Sequence, residues 1–145
     1  MSTTREQALA ALLAAVQARN YFVATGRRAR DPSVIGPTLS PACFLVRSGE
    51  TIVRASPSKP RVATIHVSAF VYGDVGPAAN AIPETALNNA MEALEAALAI
   101  DDFARQTCTL GGLVYAAFLR GEVHTAPAEL TGKAMAIVPI DIILP

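Results

Sequence analysis

Few residues in this chain have the types and spacing that catalysis requires. A nucleophilic mechanism needs a hydroxyl or thiol beside a base, with a third group that orients the base. The chain has two histidines, His66 and His124, and neither belongs to a metal-binding motif. We interpret His66 as lying on the polar face of a strand and His124 as lying at a strand end. A structural role is favoured for both, and we predict no catalytic residue.

Three other motifs could bind an ion or a phosphate. Asp101-Asp102 could hold a cation, but a solvated helix terminus explains the pair better. Leu110-Gly-Gly-Leu113 lacks the Lys-Ser/Thr of a phosphate-binding loop, so a turn or bulge at the entry to a strand is favoured. Cys43 and Cys108 have no metal-ligand spacing and are predicted to be free, buried thiols in a reducing compartment. The sequence therefore predicts no cofactor and no metal site.

Arg27-Arg28-Ala29-Arg30 is the densest basic cluster in the chain. Three arginines in a loop could contact phosphate or an acidic protein surface. Aromatic residues make up only 6% of the sequence, so the stacking platform of a nucleic-acid binder is lacking. We favour a protein interface or a solvated loop over DNA reading, and transient contact with passing DNA stays open.

Length and composition indicate a single domain covering residues 1–145. The chain is 52% hydrophobic, yet no uninterrupted apolar run reaches membrane-spanning length. The first residues include an acid and lack the basic start and apolar block of a signal peptide. We therefore expect neither a membrane segment nor a signal peptide.

The formal net charge is zero, but the charges are unevenly distributed. Residues 1–61 hold nine basic and three acidic residues, whereas residues 62–145 hold three basic and nine acidic ones. This split could be an ordinary solvated surface. It could equally give the molecule one basic and one acidic side, so that identical copies meet head to tail in a closed ring.

Hydrophobic periodicity places the elements that must carry these residues. A helix is predicted over residues 3–19, with Thr3 and Glu6 as a capping box, and residues 20–24 are predicted to be a short strand or the exit of that helix. A second helix is predicted from Pro83 to about residue 100, with an apolar stripe formed by Leu87, Met91, Leu94 and Leu98. Strands are predicted at 42–47 and 51–54, joined by a turn at 48–50, and at 61–72, where one of two alternating faces consists of Ile65, Val67, Ala69 and Val71. Residues 26–41 and 73–81 read as loops. This order indicates an α/β (α+β) fold, with an antiparallel or mixed sheet of four to five strands and two helices on one face.

The last third of the chain is apolar beyond what such a fold needs. Residues 109–124 and 133–145 are strand-like segments with apolar side chains on both alternating faces. One face of the sheet can be covered by the helices, which leaves apolar surface on the other. Another copy of the protein is the simplest cover, and this indicates an assembly rather than a catalyst.

Several short segments, in their order, resemble the tail terminator (tail completion) family of long-tailed bacteriophages. They are the N-terminal amphipathic helix, Pro41-Ala-Cys-Phe-Leu-Val-Arg-Ser-Gly-Glu50, Ile82-Pro-Glu-Thr-Ala-Leu, Leu110-Gly-Gly-Leu-Val114 with Gly121-Glu-Val123, and Gly132-Lys-Ala-Met-Ala-Ile-Val-Pro-Ile-Asp-Ile-Ile-Leu144. The resemblance covers most of residues 3–144, and the order of the segments carries its specificity.

The resemblance implies a small structural subunit of a virion, without catalysis. Six copies would form a ring on the head-proximal end of the tail tube, stop its polymerisation and offer the surface for head joining. The implied partners are the protein itself, the tail tube protein, a head–tail connector or neck protein and, where there is one, the tail sheath, with DNA only passing through. The implied location is the tail or neck of the virion, after assembly in the host cytoplasm.

Two alternatives remain beside the tail terminator. Another ring-forming neck or head-completion protein would have a similarly small subunit. A small enzyme or ligand-binding α+β domain would instead show a polar-lined pocket with perturbed titratable groups. For the leading hypothesis we expect a subunit or tube interface that uses the arginine-rich loop, acids of the second helix and outward side chains near the last strands: Arg27, Arg28, Arg30, Glu92, Glu95, Phe118 and Arg120.

Overall fold

A computed structural model of the chain describes residues 3–28, 40–74, 83–126 and 133–145. Its elements, in chain order, are α1 (Arg5–Ala18), β1 (Ala24–Gly26), β2 (Ala42–Val53), β3 (Val62–Asp74), α2 (Pro83–Ala97), β4 (Ala116–Leu119), β5 (His124–Ala126) and β6 (Lys133–Ile143). The predicted α+β fold is confirmed. The sheet has six strands rather than four or five because β1 and β5, with three residues each, are too short to give a periodic signal.

The strands form one mixed sheet in the order β1-β2-β3-β6-β4, and β5 pairs with β6 on the same side as β4. β1 is parallel to β2, and all other pairs are antiparallel. β3 and β6 pair along 11 residues each, so they form the middle of the sheet. The N-terminal half of the chain therefore builds one edge of the sheet, and the C-terminal segment builds the other.

Both helices pack on the same face of the sheet. Alternate residues of β3 and β6 are buried there against apolar side chains of α1 and α2. Fully buried members of this core include Leu12, Leu94, Ile65, Ile140 and Ile142. The predicted alternation in β3 and the predicted apolar stripe of α2 are thereby confirmed, because both follow from local periodicity.

The N-terminus of α1 is capped one residue later than predicted. The Thr4 hydroxyl accepts a hydrogen bond from the Gln7 N–H, and the Gln7 side chain accepts one from the Thr4 N–H. The capping box is therefore Thr4 with Gln7, not Thr3 with Glu6. Thr3 instead donates its hydroxyl to the carbonyl of Leu113, so the helix start is tied to the segment before β4.

The opposite face of the sheet has a small core of its own. Ala42, Phe44 and Tyr72 are buried there, with Phe70 and Met135 packed against them. The second apolar face of β6 is therefore covered in part within the chain. Another copy is therefore not required to cover the part of that face around Phe44 and Tyr72.

β2 is one continuous strand, and the predicted turn at 48–50 is wrong. Arg47 pairs with Val67, but the next pair is Gly49 with His66, so Ser48 is the extra residue of a β-bulge. The chain reverses at residues 54–61 instead and returns as β3. Ser-Gly-Glu has the composition of a turn, but pairing with the long β3 overrides that local preference.

Residues 109–115 form turns rather than the first part of a long strand. Gly111 and Gly112 adopt φ values of 77° and 91°, a region that glycine enters without steric cost. The prediction of a turn at these glycines is confirmed, and the strand interpretation of residues 109–115 is wrong. Only β4 and β5 are strands between residues 109 and 126.

Candidate functional site

The arginine loop predicted to form an interface is partly occupied by the chain itself. Both terminal nitrogens of the Arg27 guanidinium donate to the Glu6 carboxylate of α1, and this hydrogen bonding lowers the pKa of Glu6. Arg28 is exposed, whereas Arg30 lies outside the described residues. Arg27 therefore holds β1 against α1, which leaves Arg28 as the exposed cation of this pair.

The other predicted interface residues lie on two separate surfaces. Glu92 and Glu95 are exposed on the outer side of α2 and make no ion pair within residues 3–28, 40–74, 83–126 and 133–145. Phe118 is half-buried in β4, and Arg120 is exposed just after it. The structure of one chain does not bring the two groups together.

A line of polar side chains crosses the face of the sheet opposite the helices. His66 and Asp141 are directly paired across β3 and β6, and His66 Nδ1 lies 2.7 Å from Asp141 Oδ1. On its other side, His66 Nε2 lies 2.6 Å from the Thr51 hydroxyl. With Asp141 ionised and His66 neutral, Nδ1–H donates to the carboxylate and Nε2 accepts from Thr51.

These three residues lie in an open groove of about 610 Å³. Asp141 is buried, and the nearest guanidinium nitrogen of Arg120 lies 3.9 Å from its second oxygen. A hydroxyl, an imidazole and a carboxylate in this order are the components of a nucleophile and its oriented base. Pairing between neighbouring strands alone also explains why these three side chains lie together. Gly49 pairs with His66, and Thr51 lies two residues after Gly49 in the same strand.

Sequence reasoning placed His66 correctly but did not single out Thr51 or Asp141. The signal for Asp141 was present: it is the acidic residue in the apolar run of β6. A buried carboxylate in such a strand needs a partner. The identity of that partner depended on the register between β3 and β6, which periodicity does not give.

Apart from Val23, the large apolar side chains that remain exposed among the described residues lie in two segments, the end of the β2–β3 hairpin and residues 100–115. We call this the sheet-end surface; within the described residues it consists of Ile52, Val53, Val62, Ile100, Phe103, Leu113 and Tyr115. Val53 pairs with Val62, and the Tyr115 N–H donates to the carbonyl of Ile143. Phe103 is 74% exposed, which is far more than its apolar ring would adopt for folding alone.

The segment that presents Phe103 is held by two aspartates. The Asp101 carboxylate accepts hydrogen bonds from the Thr109 N–H, the Thr109 hydroxyl and the Gly111 N–H. Desolvation opposes the charged form of Asp101, but these hydrogen bonds outweigh it and lower its pKa. Asp102 pairs with Arg105 at 2.8 Å. The interpretation of Asp101-Asp102 as a merely solvated helix terminus is therefore wrong, since both side chains fix the following loop.

Arg105 connects this segment to the strand entry. Its guanidinium carbon lies 4.6 Å from the centroid of the Tyr115 ring, within the range of a cation–π contact. The exposed aromatic residues are thus supported by a hydrogen-bonded loop and are not loose ends. Interface anchors are commonly large aromatic side chains such as these, held in place by their surroundings.

Intramolecular ion pairing leaves charges of opposite sign on the two parts of the chain. Among the described residues, Arg5 and Arg47 bind Glu50, and Arg27 binds Glu6. The exposed cations without an acidic partner in that set all lie before residue 62: Arg19, Arg28, Arg54, Lys59 and Arg61. The exposed acids without a cationic partner in that set all lie after it: Glu92, Glu95, Asp101 and Glu122.

Both cysteines are free and buried, as predicted. Burial raises the pKa of Cys43 to about 12 and also raises that of Cys108. Across the described ranges, no group of three or more His, Cys, Asp or Glu side chains could hold a metal ion. The same part of the chain has no helix that is long and apolar enough to cross a bilayer.

Comparisons with known proteins add one structural likeness. No protein-family model matches the chain, and a search of curated proteins finds no match. A search of solved structures finds a chain from the virion of a native gene transfer agent particle, at a TM-score of 0.49 and 12% sequence identity, over 89% of this chain and 83% of that one. At this score and identity the likeness by itself assigns no function.

Proposed function

We propose that the chain is a structural virion subunit of the tail terminator type. Copies of it form a ring, of six subunits as in the family it resembles, on the head-proximal end of a phage-like tail. The ring stops polymerisation of the tail tube and presents the surface for head joining. In this proposal the chain catalyses no reaction, since its role depends on contacts alone.

The sheet-end surface is the observation that carries this proposal. Folding has already buried an extended core on the helix side and a smaller one on the other, so these exposed side chains add nothing to either. Clustered apolar exposure marks a protein contact. Residual cations on one part of the chain and residual acids on the other favour contact between different regions of identical copies, which is the geometry of a ring.

The proposal assigns contacts to the residues named from the sequence. Arg28, with its neighbours in the arginine loop, lies in a contact with a neighbouring copy, and so do the acids Glu92 and Glu95 of α2. Phe118 and Arg120, at the β4 edge, face the tube or the connector. The other partners are the tail tube protein, the connector or neck protein and, where there is one, the tail sheath. DNA passes through the ring without being read.

Deletion of the gene tests the terminator role directly. Tails of overlong and variable length, seen by electron microscopy, support a terminator. Tails of normal length that lack heads favour the alternative, a different ring-forming neck or head-completion protein.

Native mass spectrometry tests ring formation. A species of six subunits is expected, and its population should fall on charge reversal by Arg28→Glu. The matched control is Arg19→Glu, which makes the same charge change at an exposed cation that the proposal does not use. Unchanged assembly of the Arg28 variant would remove the loop contact and leave the ring itself standing.

The line Thr51–His66–Asp141 favours a second candidate, an acyl-transfer enzyme. In that case the Thr51 hydroxyl would attack an ester carbonyl while His66 takes its proton and Asp141 holds the imidazole. The alcohol part of the ester would leave with that proton, and water would then hydrolyse the ester formed on Thr51. Hydrolysis of p-nitrophenyl acetate by the wild type, lost in both Thr51→Val and His66→Gln, would establish this candidate. We expect the wild type to hydrolyse p-nitrophenyl acetate no faster than either variant.

A further inference from the structure

The end of the β2–β3 hairpin projects from the body of the sheet. We call residues 52–62 the arm; every side chain in it is exposed except Ser56, which is half-buried. Ile52, Val53 and Val62 expose 55%, 59% and 50% of their surface. Three β-branched apolar residues at such exposure are unfavourable in a monomer, so the arm has the composition of a contact element.

The arm is also purely cationic. Arg54, Lys59 and Arg61 are its charged residues, and none has an acidic partner within 4.0 Å among the described residues. Other cations of this part of the chain, such as Arg5, are already bound to carboxylates. The arm therefore carries the largest group of neighbouring cations that folding leaves unpaired in the described chain.

The outer side of α2 has the complementary character. Asn88, Asn89, Glu92 and Glu95 are exposed and lie within two turns of the helix. We call these four residues the α2 acidic face. Glu92 and Glu95 have no cation within 4.0 Å among the described residues, so this face has two negative charges open to a partner.

An apolar groove begins one turn beyond Glu95. Its volume is about 500 Å³, and alanines line one part of it: Ala11, Ala14 and Ala15 of α1, Ala97 at the end of α2, and Ala99. The segment after α2 completes the lining with Asp101, Cys108, Leu110, Gly111 and Leu113. α1 has no charged residue between Glu6 and Arg19, so its outer side is unusually apolar for a helix that covers a sheet. The combination of an acidic face and an adjacent apolar groove matches the arm, which is cationic and apolar.

We propose that the arm of one copy docks on the α2 acidic face of the next copy, with Arg54 and Lys59 opposite Glu92 and Glu95. The side chains of Val53 and Val62, which pair on one face of the arm, then cover the alanine groove. This inference rests on the proposed ring and identifies the element that closes it. The contact joins two different surfaces of the chain, so it repeats from copy to copy in a head-to-tail order.

A second copy fits these observations better than a nucleic acid does. A polyanion would pair with the arm cations but would leave both the apolar side chains of the arm and the acidic face without a partner. A second copy satisfies all of them at once, in matching sign and character. Contact with DNA is the competing outcome of the test.

Zero-length cross-linking tests the contact directly. Carbodiimide joins a lysine amine to a carboxylate with loss of water, and the chain has only two lysines, Lys59 and Lys133. We expect an intermolecular amide between Lys59 and Glu92 or Glu95, identified by mass spectrometry. Lys59→Arg is the matched control because it keeps the charge: rings should persist while the cross-link disappears.

Charge exchange gives a second test of the contact. Arg54→Glu/Lys59→Glu and Glu92→Lys/Glu95→Lys should each raise the concentration needed for ring formation by at least about tenfold, because attraction becomes repulsion. All four changes in one chain should restore assembly to within about threefold of wild type. An equal mixture of the two double variants should also assemble, in rings of alternating copies. Glu122→Lys is the control for an added positive charge elsewhere.

The outcomes separate this contact from the ring itself. Wild-type rings without the cross-link, and with both double variants unaffected, would overturn the arm contact and leave the ring intact. A wild type that stays monomeric in native mass spectrometry and gives no intermolecular cross-link would overturn both. Rings that form normally with the arm reversed, but lose retention of a 30-base-pair DNA duplex, would identify the arm as a DNA contact and overturn docking on α2.

Discussion

The helix-side core and the sheet-end surface are built from the same kinds of residues but are used differently. Ile140 and Leu94 are fully buried by elements of their own chain. Val53 lies in a strand pair, and the Phe103 carbonyl accepts a hydrogen bond from the Gln106 side chain, yet both side chains remain largely exposed. The comparison teaches that apolar composition does not distinguish residues needed for folding from residues available for assembly. Coverage by the chain itself makes that distinction.

The largest effect is expected from a truncation in the helix-side core. Ile140→Ala removes a side chain with no exposed surface and should lower the free energy of unfolding by about 2–5 kcal/mol, because the surrounding elements close the cavity only in part. Urea unfolding of the monomer measures this. A loss below about 1 kcal/mol would mean that this face is not the cooperative core.

The opposite pattern is expected for the sheet-end surface. Phe103→Ser should change the free energy of unfolding by less than about 0.5 kcal/mol but should weaken assembly by about tenfold or more, as loss of an interface anchor does. Val23→Ser is the matched control, since Val23 is 60% exposed and lies near the start of β1, away from this surface. If the two variants weaken assembly equally in native mass spectrometry, the sheet-end surface does not differ from other exposed apolar residues.

Elements with strong local periodicity could be predicted from the sequence alone. The alternation in β3 and the stripe on α2 were correct because each depends only on neighbouring residues. The bulge at Ser48 was missed because its Ser-Gly-Glu composition is typical of a turn, and only pairing with β3 shows otherwise. β1 was missed in extent because a three-residue strand is defined by its partner.

Acid should act on the segment that presents Phe103. The pKa of Asp101 is lowered in the folded chain, so its stabilising contribution is present above the pKa of the unfolded state, near 4. That contribution is lost as the pH falls through the lower folded value. Asp101→Asn should lower the melting temperature by a few degrees at pH 7 and flatten its dependence below about pH 4.

A control for the acid effect is available in the same loop. Asp102 pairs with Arg105 rather than with the turn that contains Gly111, and hydrogen bonding to Arg105 lowers its pKa. Asp102→Asn should leave the amide of Gly111 as protected from hydrogen exchange as in the wild type, whereas Asp101→Asn should expose it. Equal protection in both variants would contradict the role assigned to Asp101.

The smallest effect concerns the two thiols, one in each region. Burial raises the pKa of Cys43 to about 12, so only roughly one molecule in ten thousand carries its thiolate at pH 8. Iodoacetamide should therefore label Cys108, in the segment of the sheet-end surface, faster than Cys43 in the core. Equal labelling of the two in the folded chain would show that the core opens as readily as the surface segment.

The interface was harder to predict than the fold for a physical reason. Net charge per segment is visible in a sequence, and the split at residue 61 pointed to unlike sides. Which cations remain available is not visible, because Arg27 is occupied by Glu6 only once β1 and α1 are in place. The apolar residues of the arm were likewise assigned to an ordinary return strand.

Because of the bulge at Ser48, the residues of β2 that face the helices are odd-numbered before it and even-numbered after it. Upstream, Cys43 and Leu45 belong to the helix-side core; downstream, Glu50 meets Arg5 of α1 and Thr51 meets His66 on the other face. Deleting Ser48 would leave both faces of the projecting hairpin unchanged, because Gly49 would then follow Arg47 directly and still pair with His66. The bulge thus absorbs a one-residue difference in the length of β2, so a lineage can gain or lose this residue without re-aiming the arm.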